Sequence, residues 1–213
     1  WAGQGPAGSG KTHFLLTAPE PIAVFLFNDP GGVSKLKRKE EPEPEPEPVI
    51  DPLYLYAQWR GFSDPPEAAL DARAISPDWA AFYGVKWKQG WVMPIWDPLS
   101  TRPEDGLWGW QFKRMSFVSN YPISVKKSTT LFGVHELEYF RPRAVVLVES
   151  PLDVVHLASA GVAAVSSFGA AVSKALVRLL VEVCDRVVLA LDNDKAGRAA
   201  TIKLYPKLAR FVP

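Results

Sequence analysis

Three acidic residues follow two apolar runs that have the length and composition of buried strands. Glu149 directly follows AVVLV, and Asp192 and Asp194 follow RVVLAL as the acidic pair of LDNDKAG. If the two strands are parallel neighbours, their carboxyl ends meet at one edge of the sheet and the three carboxylates converge there. Mg²⁺ prefers oxygen ligands and commonly takes one or two carboxylates together with substrate phosphates. The spacing therefore predicts a divalent-metal site for phosphoryl transfer.

The same residues have a simpler interpretation. Aspartate is common at the start of helices, so Asp192 and Asp194 could do no more than cap the helix that follows them. Glu149 would then lie in a surface turn. The spacing of the carboxylates does not separate the two interpretations.

A second phosphate-binding pattern lies near the N-terminus. The segment GPAGSGKT matches G-x-x-x-x-G-K-[ST], in which backbone amides, a lysine and a hydroxyl contact the phosphates of ATP. The residues that would do this are Gly5, Gly10, Lys11 and Thr12. Only four residues precede Gly5, and the chain soon enters a Pro/Glu run. We expect a truncated P-loop fragment, which argues against a working ATP site.

Basic residues cluster in the middle of the chain. Lys113, Arg114, Lys126 and Lys127 could contact the phosphates of a single strand or of a nucleotide. The net charge is only +1, but five glutamates lie in EEPEPEPEP, so the remainder of the chain is distinctly basic. Taken singly, each of the four cations is better explained as solvated surface.

Strands and helices alternate from residue 144 onward, which is typical of a parallel sheet with crossover helices. Before it, aromatic strand-like segments such as GWVMPIWDP and the helix-like SPDWAAFYG indicate a smaller α+β region. Alternating proline and glutamate cannot pack, and predict an extended linker. We therefore divide the chain into a P-loop fragment (1–34), a linker (35–52), an α+β subdomain (53–143) and an α/β domain (144–213).

Composition limits the remaining possibilities. The single cysteine, Cys184, excludes intrachain disulfides and Cys-rich zinc sites, and the three histidines are scattered, so we expect no zinc. No apolar run reaches the ~20 residues of a membrane span, and no secretory signal is visible. These features favour a cytoplasmic protein without a membrane partner.

Several ordered motifs together resemble the Toprim domain of bacterial and phage primases. The motifs are VLVESPLDVVHLASAG, VSSFGAAVS and VVLALDNDKAGRAA. The residues that fall on the family pattern are Glu149, Asp153, Gly169, Asp192, Asp194, Ala196 and Gly197, whereas Ser150 stands where the family usually has glycine. Upstream, RAISPDWAAFYGVKW, WVMPIWDP, LWGWQFKRM and KKSTTLFGV resemble the segment that precedes Toprim in the primase catalytic core.

The resemblance implies a phage-type DNA primase that joins ribonucleoside triphosphates into RNA primers on single-stranded DNA, using Mg²⁺ or Mn²⁺. Asp192 and Asp194 would bind the metal, Glu149 would bind metal or act in acid/base chemistry, and Asp153 would support them. The zinc module and the later helical subdomain of full primases are not recognisable, so we expect a replicative helicase or a second polypeptide as partner. The alternatives are a Toprim nuclease of the overcoming-lysogeny type and a non-catalytic nucleic-acid-binding replication accessory.

Overall fold

The computed structural model describes residues 50–101, 103–169 and 171–211. The predictions for Gly5, Gly10, Lys11 and Thr12, and nearly all of the predicted linker, lie outside these residues. The first described helix, α1 (Pro52–Arg60), begins with Asp51 as its N-cap, whose side chain accepts from the Leu53 amide. In the described part of the chain, no helix is long and apolar enough to cross a membrane.

The first half of the described chain folds as an antiparallel sheet with short helices around it. The strands, in the spatial order of their numbers, are β1 (Lys86–Trp87), β2 (Trp91–Trp96), β3 (Leu107–Arg114) and β4 (Phe117–Tyr121). The helices are α2 (Glu67–Asp71), α3 (Pro77–Phe82), α4 (Pro103–Gly106) and α5 (Leu137–Phe140). A 3-10 turn covers Lys127–Thr129. Each neighbouring pair of strands is antiparallel.

The second half is a parallel sheet with crossover helices. Its strands are β5 (Ala144–Val148), β6 (Ala164–Ser166) and β7 (Arg186–Leu189), in the order β6-β5-β7. The helices are α6 (Pro151–Ser159), α7 (Lys174–Val183) and α8 (Lys195–Leu208). Both neighbours of β5 run parallel to it, so the α/β fold class predicted from the alternating pattern is confirmed.

Local signals account for several element boundaries. Pro77 opens α3 because its fixed φ suits the first helical position, and Gly84 follows the helix with a φ of +63°. Two segments differ from the sequence-based expectation. The predicted turn TRPEDG contains the short helix α4, and β7 ends at Leu189, three residues before Asp192 rather than next to it.

The hydrophobic core joins the two sheets. One buried cluster contains Met93 and Ile95 from the antiparallel sheet together with Val148 and Leu152 from the α/β region. A second cluster lies among β5, α7 and α8, and a third lies between α1 and the opposite face of the antiparallel sheet. Because the shared cluster contains side chains from both regions, the packing of the first sheet helps to hold the strand ends of the second.

Candidate active site

Glu149 and Asp192 lie at the carboxyl edge of two adjacent parallel strands. β5 is the central strand, and Glu149 is the residue directly after it. The pairing with β7 continues beyond that strand, since the Ala190 amide donates to the Leu147 carbonyl at 2.9 Å. The Asp192 amide then donates to Oε1 of Glu149 at 3.3 Å. The structure thus brings together the ends of the two runs that the sequence analysis singled out.

The backbone of Glu149 is held by the loop that follows β6. Its carbonyl accepts from Ser166 Oγ at 2.6 Å and from the Gly169 amide at 2.9 Å. Ser166 Oγ also accepts from the Phe168 amide at 3.1 Å. Gly169 has a φ of +70°, a conformation that side chains rarely adopt, which explains a glycine at this turn. These bonds fix the place from which the Glu149 carboxylate projects.

Asp194 caps helix α8. Its Oδ1 accepts from the Gly197 amide at 2.7 Å, so the simpler interpretation is correct about the local role of this residue. Gly197 lies against the acidic edge, because a Cβ there would overlap the Asp192 carbonyl and would lie 2.9 Å from Glu149 Oε1. Close packing of the first turn of α8 therefore keeps Asp192 and Asp194 at the end of β5.

The acidic edge suits a metal that is held together with a substrate. Among the described residues, no three His, Cys, Asp or Glu side chains are gathered into a metal-binding group. Mg²⁺ often uses only one or two carboxylates and completes its shell with water and phosphate oxygens. The donor set of Glu149, Asp192 and Asp194 is all oxygen, which fits such an ion. Asp153 lies farther along, in the first turn of α6, where its side chain is half-buried.

Lys127 approaches the same loop from the antiparallel subdomain. Its Nζ donates to the Phe168 carbonyl at 3.2 Å, and Gln111 Nε2 donates to the same oxygen at 3.2 Å. Burial lowers the pKa of Lys127 from its ordinary value. Because the next residue, Gly169, contacts the Glu149 backbone, Lys127 is a cation close to the acidic edge.

The other three predicted cations are distributed differently. Lys126 precedes Lys127 and is exposed. Lys113 lies two residues after Gln111 on β3, so both side chains are on the face that meets Phe168. Arg114 falls on the opposite face of the strand and is exposed. The structure thus brings Lys127 to the loop beside the acidic edge, places Lys113 on the same face of β3 as Gln111, and puts Arg114 on the other face.

Two polar residues of this region were not predicted. Gln111 is 3% exposed and links the two sheets through the Phe168 carbonyl. A glutamine within an otherwise aromatic strand was the available signal. Ser166 supports Glu149, but a serine at a strand end is too common to indicate that role. Ser150, noted as a departure from the family pattern, has a buried Oγ with no hydrogen-bond partner among the described residues.

The α/β region matches a known family. Residues 146–211 match the family model described as Toprim-like. The DNA primase of Borreliella burgdorferi is 36% identical over 83 residues, which is 38% of this chain and 16% of that protein. The DNA primase of Rickettsia typhi is 33% identical over 91 residues, which is 41% of this chain and 15% of that protein. The matched part therefore spans about a sixth of these curated relatives.

Solved primase structures share the fold over both subdomains. The Aquifex aeolicus primase, with its zinc-binding and RNA polymerase domains, superposes with a TM-score of 0.62 and 21% identity over 74% of this chain and 52% of that one. A DNA primase domain from Pseudomonas aeruginosa superposes with a TM-score of 0.59 and 17% identity, over 73% of this chain and 65% of that one. The chain therefore carries a Toprim-like domain behind an antiparallel subdomain, in the arrangement of DNA primase catalytic cores.

Proposed function

We propose that this chain is the catalytic module of a primase, which joins ribonucleotides into a primer on a single-stranded DNA template. The observation that supports this most is the convergence of Glu149 and the Asp192–Asp194 segment at the edge of two adjacent parallel strands in a Toprim-like sheet. A solved primase catalytic domain bound to single-stranded DNA agrees in fold with this chain at a TM-score of 0.60.

The proposed chemistry divides among the chain's own groups. Asp192 and Asp194 would hold Mg²⁺ or Mn²⁺, which neutralises charge on the phosphates of the incoming ribonucleoside triphosphate when it is bound. Glu149 would either join them as a ligand or accept the proton of the attacking 3′-hydroxyl. Lys113, Lys126 and Lys127 would contact the phosphates of template or nucleotide from the antiparallel subdomain.

A primer-synthesis assay tests the proposal. Single-stranded DNA, the four ribonucleoside triphosphates and Mg²⁺ or Mn²⁺ are incubated with the chain, and labelled RNA products are resolved by length. We expect Asp192→Asn and Asp194→Asn each to lower the rate about 100-fold or more, because each removes charge from the metal site. Asp185→Asn is the matched control, since Asp185 is exposed and precedes the opposite end of the same strand, β7.

Two other outcomes would contradict the proposal. Metal-dependent cutting of DNA without synthesis would favour the Toprim nuclease. Binding of single-stranded DNA without either reaction, unchanged in Asp192→Asn, would favour a replication accessory.

Because the chain covers only part of its curated relatives, the assay is also run with a replicative helicase or a second primase polypeptide added. The phage-type character of the protein and the N-terminal phosphate loop remain predictions from the sequence.

A further inference from the structure

An aromatic groove lies on the opposite face of β3 from Gln111, which contacts the loop beside the acidic edge. It has a volume of about 780 Å³ and lies between the end of α1, the β1–β2 turn and strands β3 and β4. Three of its aromatic rings are accessible, because Phe62 and Phe112 are half-buried and Tyr121 is 40% exposed. We call it the α1 groove. None of its described lining residues belongs to the acidic edge, so the proposed function does not use it.

The rings of the α1 groove form one continuous surface. Tyr121 stacks on Trp110 with the ring centroids 4.8 Å apart, and Phe62 meets Trp110 edge to face at 5.3 Å. Trp110 is only 7% exposed, so it supports the two outer rings from below. Trp110 and Val92 also belong to the buried cluster beneath α1, which holds this surface in place before anything binds. Such preorganisation lowers the entropy that is lost on binding.

The charge of the α1 groove is positive. Lys88 is exposed on the β1–β2 turn, and its Nζ lies 5.3 Å from the centroid of the Phe62 ring. Arg114 is exposed on the same face of β3 as Phe112. The described lining of the groove includes no aspartate or glutamate. The groove therefore fits an extended ligand that presents apolar rings to its aromatic wall and negative charge to Lys88.

A segment with this composition precedes α1 in the same chain. The run EEPEPEPEP (40–48) lies outside the described residues and combines four prolines with five glutamates. Alternating proline and glutamate favour the polyproline II helix, whose three residues per turn give each face both residue types at steps of about 9 Å. Proline-rich helices of this kind bind aromatic grooves in other proteins. The composition of the segment is thus complementary to the rings and the charge of the α1 groove.

The segment joins the described chain on the same face of the sheet as the groove. Ile50 packs against the cluster that contains Val92 and Trp110, two residues that line the groove. Helix α1 has nine residues and is about 14 Å long at 1.5 Å per residue. About five residues of a polyproline II helix, at about 3.1 Å each, span that length. A chain that turns back at Ile50 therefore brings residues 40–45 to the end of α1, where the groove lies.

We propose that the α1 groove binds the Pro/Glu segment (40–48) of the same chain. In this arrangement the prolines pack on Phe62, Phe112 and Tyr121, and the glutamates face Lys88. A short tether gives the segment an effective concentration on the order of millimolar, so a weak intrinsic affinity is enough to keep it bound for much of the time. This contact is separate from the acidic edge and does not depend on the proposed function.

Paramagnetic NMR of the full chain tests this contact. The single native cysteine, Cys184, is buried, so a nitroxide label attaches at Lys39→Cys, a position next to the segment that leaves its prolines and glutamates intact. If the segment lies in the groove, the label is beside it and broadens the Gln89 and Ser119 amide resonances, which is the result we expect. If the segment extends into solvent at about 3.1 Å per residue, the label lies about 34 Å from Ile50. Sharp resonances for both amides would overturn the proposal.

Charge variants of the labelled chain show whether the contact is specific. An exposed ion pair changes an equilibrium constant by up to about fivefold. For a segment bound about half of the time, Lys88→Gln should therefore lower the broadening of the Ser119 amide by up to about threefold. Lys203→Gln is the matched control, since Lys203 is exposed on α8 and does not line the groove. Changing all five glutamates to glutamine should lower the broadening further. Without docking, that change only relieves repulsion within the segment, so equal or greater broadening would contradict the proposal.

Two further samples separate the other occupants of the groove. In the first, the label and the ¹⁵N enrichment are on different chains, and we expect no broadening of the Ser119 amide. Broadening there as strong as in the singly labelled chain would assign the groove to the segment of a second copy. In the second, a short oligothymidylate is added without divalent metal, and we expect the Lys88 amide of the wild type to stay in place. Equal shifts of that amide in the wild type and in the five-glutamine variant would assign the groove to nucleic acid, and the proposal would fail.

Discussion

Glu136 should make this protein less stable as the pH rises. Its side chain lines a cavity between α1, the end of α3 and the segment after β2 and is surrounded by protein on most sides, and this burial raises its pKa from 4.5 to about 7. Between these two values the folded chain keeps a proton that the unfolded chain has lost. The protonated Glu136 carboxyl therefore makes its full contribution to the free energy of unfolding below pH 4.5. That contribution is lost as the pH rises to about 7.

The size of the effect follows from the two pKa values. At about 1.36 kcal/mol per pKa unit, a rise from 4.5 to about 7 corresponds to about 3 kcal/mol. This figure is an upper one, because part of the side chain remains exposed within the cavity and water there screens the charge. Glutamine imitates the protonated acid. Glu136→Gln should therefore leave stability nearly unchanged at pH 4.5 and increase it by up to about 3 kcal/mol at pH 8.

Urea unfolding at pH 4.5, 6, 7 and 8 measures this difference. Glu138→Gln is the matched control, because Glu138 is exposed and lies in the short helix α5, which Glu136 precedes as its N-cap residue. Asp97, His135 and Tyr83 line the same cavity and are unchanged in the variant, so the difference between wild type and variant reports on Glu136. A stabilisation by Glu136→Gln that is equal at all four pH values, or a destabilisation at pH 8, would refute the reasoning.

Two further predictions concern the acidic edge. Gly197→Ala places a Cβ against the Asp192 carbonyl and Glu149 Oε1, so we expect primer synthesis to fall about 100-fold, as for a displacement of about 1 Å. Gly161 has open space around it but a φ of +74°, so Gly161→Ala should lower stability while leaving the rate of the folded protein unchanged. Equal rates for the two variants would contradict this. Ser166→Ala removes one hydrogen bond from the Glu149 carbonyl and one from the Phe168 amide. We expect this to lower the free energy of unfolding by about 1–3 kcal/mol, measured by urea titration. An unchanged midpoint would show that Ser166 does not support the Glu149 backbone.

Much of the acidic edge could be predicted because its signals are local. An apolar run that ends in a carboxylate marks a buried strand and the place where the chain leaves it, and two such runs predicted where Glu149 and Asp192 would lie. The boundaries of two helices are likewise local signals. Pro77 begins α3 and Gly84 follows its end, and Asp194 caps the start of α8. Adjacent residues of a strand point to opposite faces, so Lys113 and Arg114 must separate. Which face of β3 packs on the α/β region, and so which of the two cations lies near it, is not a local signal.

The sequence by itself determined the alternating strands and helices from residue 144 onward, the parallel character of that sheet and the carboxylates that follow its strands, because these follow from periodicity, capping and chain direction. Only the tertiary structure decided that β5 lies between β6 and β7, that Gln111 and Lys127 meet at one carbonyl, and that Trp59, Tyr83 and Glu136 share a cavity. Such contacts join positions far apart in the chain. They arise from the packing of one sheet against the other, for which no local pattern exists.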